Sequence, residues 1–276
     1  MLLLLLISAG GYVVVRYAIP DTPKKIMTLN YMAMKTTDKI MCKEKTVSIT
    51  QGMGAKIKTT TETDSISDKK GNSYSRLASY NGKMKIISMQ EYNVKQKSGV
   101  LCYYKDSILK KWYITDENPQ LDTSTVLYNT FKKNFLDGTI TDSISCIDTG
   151  SFYQITVPMR VIVDLLVYSD LDDEQYRIFS KYGNQIGKGK IIYIIDKKTY
   201  RTHEIKIAGV SWKQEGINYR VSLDSLYSCE DDKAFSIEIP ENVSNKAKFL
   251  SFEEWNDKIE DIYEEQQNQN KGAITL

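Results

Sequence analysis

Short runs of alternating residues, each closed by a turn, fill most of this chain and restrict it to antiparallel sheet. Thr46 to Thr50 alternate, and Ile57 to Thr63 form a threonine-rich run ending at Asp68-Lys69-Lys70-Gly71-Asn72. Tyr74 to Tyr80 runs into Asn81-Gly82, a dipeptide that between β-rich runs signals a hairpin. Met84 to Val94, Val100 to Tyr104 and Ser107 to Thr115 continue the series. Strands at intervals of about 8–15 residues are the rhythm of a meander. A second meander starts at Lys188 to Ile195, turns at Asp196-Lys197-Lys198-Thr199, and continues through Tyr200 to Val210, Tyr219 to Tyr227 and Phe235 to Ile239. Tyr219, Val221 and Leu223 fall on one side of their strand, and Arg220, Ser222 and Asp224 on the other.

Helical patterns interrupt the strands. Residues 25–41 carry Ile26, Leu29, Met32, Met34 and Ile40 as an apolar stripe, with lysines opposite. Residues 123–136 place Val126, Leu127, Phe131 and Phe135 on one face, with Gly138 as the stop. Between the meanders, residues 144–168 read as strands, including the apolar VIVDLLVY run, and 171–182 as a short helix led by Asp172-Asp173-Glu174. Ser251-Phe252-Glu253-Glu254 is a capping box, and Phe252, Trp255, Ile259 and Ile262 follow at helical spacing. The predicted fold class is α+β: a strongly curved antiparallel sheet with a few helices on its concave face.

Residues 2–15 (LLLLLISAGGYVVV) are uncharged and apolar. A spanning helix needs about 20 apolar residues, and a secretory signal an apolar core of roughly 7–15 with a small-residue cleavage site. With Arg16 snorkelling, residues 1–20 make an N-terminal apolar helix, read as an uncleaved anchor ahead of a cleaved signal. The domain boundaries are 1–20 for this segment, 25–248 for one binding domain, and 249–276 for an amphipathic helix and polar tail. Arg16, Lys24 and Lys25 would by the positive-inside rule leave the domain inside; the composition downstream favours a location outside a bacterial cell membrane, and its 19 tyrosines suit half-buried sheet faces.

The layout resembles the LolA/LppX-like superfamily of extracytoplasmic carrier proteins and lipoproteins. The likeness is carried by Gly99–Asp106 (GVLCYYKD) with Lys110-Lys111-Trp112, by Ile194-Ile195-Asp196-Lys197-Lys198-Thr199-Tyr200, and by Ile237-Glu238-Ile239-Pro240 with Val243 and Ala247. It implies a half-barrel whose concave face is covered by helices, with an apolar cavity between them that takes acyl chains, and no catalytic residues to carry over.

The residues themselves offer little for a reaction. His203, the single histidine, is expected on the strand face of Ile205 and Ile207 as a structural residue. Cys42, Cys102, Cys146 and Cys229 make no C-x-x-C pair. They are read as free buried thiols, with two disulfides as the alternative. Asp172-Asp173 and Asp231-Asp232 read as a helix start and a turn rather than calcium ligands. Gly183 to Gly189 lacks the hydroxyl residue that a phosphate loop needs after Gly-Lys and reads as a connection. With 37 basic and 35 acidic residues, the chain has no electrostatic footprint for nucleic acid. No cofactor, metal or catalytic residue is predicted.

Met27, Met32, Met34 and Met41 crowd the first helix, and Met84, Met89 and Met159 the strands. Methionine adapts to ligands of varied shape. Ordinary core packing is the other account of these methionines. The resemblance, with an apolar helix facing a large sheet, implies non-catalytic binding of a lipid or other hydrophobic ligand between sheet and helices, in a cavity lined by Met32, Met34, Val126 and Phe131. The alternative is a protein-interaction or sensory domain, for which no partner is indicated.

Overall fold

The structure is a computed structural model that describes residues 21–52, 54–96, 99–107, 110–115, 144–161, 181–251, 254 and 257. The segment 1–20, the predicted helix 123–136 with Val126 and Phe131, the VIVDLLVY run beyond Val161 and Trp255 lie outside the described residues. Within them the chain forms helix α1 (Pro23–Thr36) and strands β1 (Lys39–Gly52), β2 (Ala55–Asp68), β3 (Ser73–Asn81), β4 (Met84–Gln96), β5 (Gly99–Asp106) and β6 (Tyr113–Thr115). Next come β7 (Ser145–Asp148), β8 (Phe152–Pro158), β9 (Lys190–Asp196), β10 (Thr202–Gln214) and β11 (Ile217–Glu230), then α2 (Glu241–Ser244) and β12 (Lys248–Phe249).

All twelve strands join one open, curved sheet in the order β12-β6-β5-β4-β3-β2-β1-β11-β10-β9-β8-β7. The two meanders are zipped together by β1 and β11, antiparallel from Lys39↔Glu230 to Gln51↔Asn218. Every pairing is antiparallel except β12 with β6. Local chemistry sets the turns. The β3–β4 hairpin closes through Gly82 and Lys83, with Gly82 at φ 60°, a conformation open to glycine at no steric cost. The β9–β10 turn is held by Asp196, whose Oδ1 accepts from the main-chain N–H groups of Lys198 (3.0 Å) and Thr199 (2.8 Å).

Helix α1 starts at Thr22, whose Oγ1 accepts from the Lys25 N–H at 3.2 Å, with Pro23 as the first helical residue. It ends at Thr36, five residues before the expected 41. The Thr37 hydroxyl donates to the Ala33 carbonyl at 2.8 Å, and the chain turns extended at Thr37. Ile40 and Met41 then belong to β1, where pairing on both sides outweighs the helical pattern.

α1 lies over β7–β11 only. Ile26 and Leu29 interlock with Ile155, Val157, Tyr193 and Ile195 in one buried cluster. Asn30 clamps the helix by donating from Nδ2 to the Tyr200 carbonyl (2.8 Å) and the Thr202 hydroxyl (3.0 Å). Tyr153 donates from its hydroxyl to Asp21 at 2.6 Å.

Four further readings are corrected. Residues 159–161 are helical, so Met159 and the start of the VIVDLLVY run leave the sheet. Of the described residues in the expected 107–115 strand, Tyr113–Thr115 join the sheet, and Ser107, Lys110, Lys111 and Trp112 do not. Phe235 to Ile239 form no strand: β1 and β10 already occupy both edges of β11, so the segment crosses the strand ends and ties down through the Ile237 N–H to Asp68 (3.1 Å). His203 is the extra residue of a β-bulge between Thr202 and Glu204. The bulge breaks the alternation, so His203 is exposed and stacks on Phe152 (5.0 Å) instead of joining Ile205 and Ile207.

The Gly183–Gly189 connection ends a helix at residue 186 and passes under β10. A Cβ on Gly189 would sit 2.6 Å from Val210 Cγ2 and 3.1 Å from the Ala208 carbonyl oxygen. Gly189→Ala is therefore expected to cost about 1–3 kcal/mol of stability, as overpacked sites do, measured by urea unfolding. A variant as stable as the parent would mean that β10 yields freely.

Candidate functional site

Directly paired residues of neighbouring strands share a face of the sheet, so the register shows what α1 leaves uncovered. Among the described residues, the apolar cluster reaches Val221 on β11 and no further along the sheet. Continuing on the helix side, β1 presents Glu44, Thr46 and Ser48, opposite Thr63, Thr61 and Thr59 of β2. Beyond them β3 presents Ser75, Leu77 and Ser79. Thr61 and Ser79 bond through their hydroxyls at 2.8 Å, and Ser225 donates to Glu44 at 3.3 Å. On β4 to β6 the same face is mixed: Ile87 and Met89, then Cys102, Tyr104 and Tyr113, stand with the buried polar residues Glu91 and Thr115 and with Asn93. Cys102, Tyr104 and Leu250 form a second, smaller core. The helix side of β1–β3 is thus a half-buried, hydroxyl-rich surface between two buried clusters.

Of the predicted cavity residues, Met32 and Met34 lie within the described residues. Met32 points to solvent, 41% exposed. Met34 is half-buried, its sulfur 3.4 Å from the Thr202 N–H and 3.9 Å from the Cys229 thiol. Met34 thus seals the joint between α1 and β10–β11, where Ile26 (0% exposed) and Leu29 (1% exposed) show the two layers in close contact. Among the described residues, the apolar cluster that α1 joins does not extend past β11.

The four thiols are free, as the sequence reading favoured, but only Cys102 is fully buried. Burial pushes the Cys42 thiol up to about 11. Burial, followed by the charge of Glu91, raises Cys102 further. Both stay protonated at neutral pH and are poor nucleophiles. Among the described residues no group of three or more His, Cys, Asp or Glu is placed to hold a metal ion.

A second region was not singled out as a site in the sequence. Lys105, Lys110, Lys111, Trp112, Tyr113, Asn242, Lys246 and Lys248 line a hollow of about 390 Å³ at the β6–β12 end of the sheet. A neighbouring hollow of about 320 Å³ shares Lys105 and Lys110 and adds Arg76, Lys85 and Gln90. Arg76, Gln90 and Lys105 stand in one row across β3, β4 and β5, on the face opposite Leu77, Met89 and Tyr104. The one signal available in advance was Lys110-Lys111-Trp112. Nothing local announces that Lys246 and Lys248 return beside it.

The fold and this face define a class: an open antiparallel sheet of twelve strands with helical cover over part of one face. No protein-family model matches the chain, and no curated protein does. Among solved structures it is similar to LprF from Mycobacterium bovis, at 11% identity and a TM-score of 0.38, covering 79% of this chain and 95% of that one. It is also similar to the lipoprotein LppX of Mycobacterium tuberculosis (10% identity, TM-score 0.30, 74% and 92% covered). A putative outer membrane lipoprotein-sorting protein domain from Vibrio parahaemolyticus follows (7% identity, TM-score 0.27, 79% and 94% covered).

Proposed function

We propose that the protein is a non-catalytic binding protein for a hydrophobic or amphiphilic ligand, working outside a bacterial cell membrane. In this reading residues 1–20 attach it, 25–248 form the binding domain, and 249–276 add a helix and tail. The ligand lies on the helix side of β1–β6. Its apolar part rests on Leu77, Ile87 and Met89, and its polar atoms bond to the hydroxyls of β1–β3. Met34 borders the site, with Val126 and Phe131 as further lining.

One observation carries this reading: among the described residues the core that α1 joins ends at β11, while the sheet runs on through β1, β2 and β3 with a half-buried face before a second, smaller core on β5. A half-buried face is costly to leave wet at Leu77 and Ile87, and its hydroxyls satisfy polar atoms that a purely apolar wall would leave bare. Both chemistries on one surface match an amphiphile.

The test uses Nile red, a neutral apolar dye, with the full chain. Saturable fluorescence enhancement is expected, reduced about tenfold or more in affinity by Leu77→Asp, since a charge then replaces an apolar contact. Leu77 lies outside both cores, so the variant should keep the parent's circular dichroism. Dye binding equal in parent and variant would remove the reading. Native mass spectrometry of protein purified from its host membranes should show a retained lipid mass.

A further inference from the structure

We infer that the lysine-lined hollow at the β6–β12 end of the sheet is a binding site for a phosphate-type anion. This goes beyond the amphiphile reading and stands on different residues.

The charge there is segregated. The whole chain is nearly balanced, at +2, yet no described residue lining either hollow is acidic. Among the described residues, Lys105, Lys110, Lys111, Lys246 and Lys248 form no ion pair; the pairs lie elsewhere, as at Lys39–Glu230 and Lys45–Glu62. Five uncompensated ammonium groups around about 390 Å³ repel one another.

The fold nevertheless forces them together. β12 pairs in parallel with β6, its Lys248 N–H donating to the Trp112 carbonyl (3.2 Å) and the Leu250 N–H to the Ile114 carbonyl (3.0 Å). Leu250 is anchored in the core of Cys102 and Tyr104, and Val243 is buried on α2. Those two apolar anchors bring Lys246 and Lys248 to the turn that carries Lys110 and Lys111. Lys110 itself is held at φ 58°, a left-handed conformation that a lysine adopts at a cost. Strain of this kind collects at ligand-binding sites.

Basic residues also guard exposed sheet edges. That role accounts for Lys248 on the two-residue strand β12. It does not account for Lys105, which is half-buried and faces Gln90 in the interior of the sheet. A phosphate group carries close to two negative charges and several acceptor oxygens, matching clustered ammonium donors. Trp112, its ring 5.8 Å from Tyr92, adds a flat apolar wall for whatever carries the phosphate. That carrier is either a lipid headgroup or a soluble phosphate ester.

Two probes separate these sources with the full chain. The first is inorganic pyrophosphate, by isothermal titration. The second is sedimentation with vesicles of phosphatidylcholine alone or mixed with phosphatidylglycerol. Binding should weaken with added salt. It should fall roughly fivefold for each lysine removed, so roughly 25-fold in Lys105→Gln with Lys246→Gln, taking about 1 kcal/mol per lysine. Replacing Lys56 and Lys58 on β2 by glutamine removes equal charge elsewhere and should leave binding unchanged. Pyrophosphate binding without a preference for phosphatidylglycerol identifies a soluble phosphate ester. Preference for phosphatidylglycerol vesicles without pyrophosphate binding identifies a headgroup. Binding by neither probe, or equal loss in both lysine pairs, overturns the site. Nile red binding should be unaffected by Lys105→Gln with Lys246→Gln, so this inference and the amphiphile reading fail separately.

Discussion

Asp68→Ala lowers the free energy of unfolding by about 3–4 kcal/mol. The side chain is 6% exposed and ends β2. Its Oδ1 accepts from the N–H groups of Lys70 (2.9 Å) and Asn72 (3.0 Å). Its Oδ2 accepts from Asn72 Nδ2 (2.9 Å) and the Ile237 N–H (3.1 Å). Asn72 in turn accepts from the Lys95 N–H at 3.0 Å, so one carboxylate ties the β2–β3 turn to β4 and to the chain leaving β11. Hydrogen bonds to a charged group contribute about 1.5–3 kcal/mol each, and truncation strands buried donors. Bonds to one carboxylate are strongly coupled, so the total is well below their sum.

The pH dependence has a definite sign. Burial works to raise the Asp68 carboxyl, and the donors from Ile237, Asn72 and Lys70 outweigh it, leaving its pKa below the usual 3.8. A carboxyl lowered on folding adds stability above its unfolded pKa and loses it as pH falls through the folded value. The gap between parent and Asp68→Ala, measured by urea unfolding, should be constant from pH 7 to about 5 and shrink below about 4. A difference under about 1 kcal/mol at pH 7 would mean that water replaces the carboxylate without loss.

Leu29→Ala carries the second large effect, about 3 kcal/mol and within the 2–5 kcal/mol typical of such truncations. Leu29 is 1% exposed, on the face of α1 that meets β8–β10. Its removal leaves a void among Ile155, Val157 and Ile195, which strands on both sides hold too firmly to collapse. Leu29→Met, which nearly conserves volume, should cost less than about 1.5 kcal/mol. Amide hydrogen exchange gives the position of the damage. In Leu29→Ala, protection should fall at Ile191 to Ile195 and be retained at Thr59 to Thr63 on β2, which α1 does not cover. Uniform loss across both would show the sheet opening as one unit.

The parts legible in advance are those set by residues a few positions apart. The Ser251–Glu254 capping box is present in full: Ser251 N–H donates to Glu254 Oε2 (2.9 Å), and Glu254 N–H to Ser251 Oγ (3.2 Å). The Asn81-Gly82 hairpin forms, and β11 alternates half-buried with exposed residues along its length, as Tyr219, Val221 and Leu223 indicated. In each case one turn or one pleat holds the cause. The methionine pattern misled for the same reason. Spacing places Met32 and Met34 on one helix, but which of them faces the sheet depends on where Asn30 is clamped to Tyr200 and Thr202.

Alternation and turn chemistry were enough to make this chain a long antiparallel meander with a capped leading helix, because strand pleat and turn dihedrals are local properties. Tertiary pairing decided the rest. Zipping β1 to β11 gave the two meanders a common sheet, ended α1 early, and left Phe235 to Ile239 without an edge to join. It also fixed which side of the threonine strand meets the helix layer, and it carried Lys246 and Lys248 back beside Lys110. Contacts between residues so far apart depend on the net balance of burial and chain entropy over the whole sheet, which no short window of residues encodes.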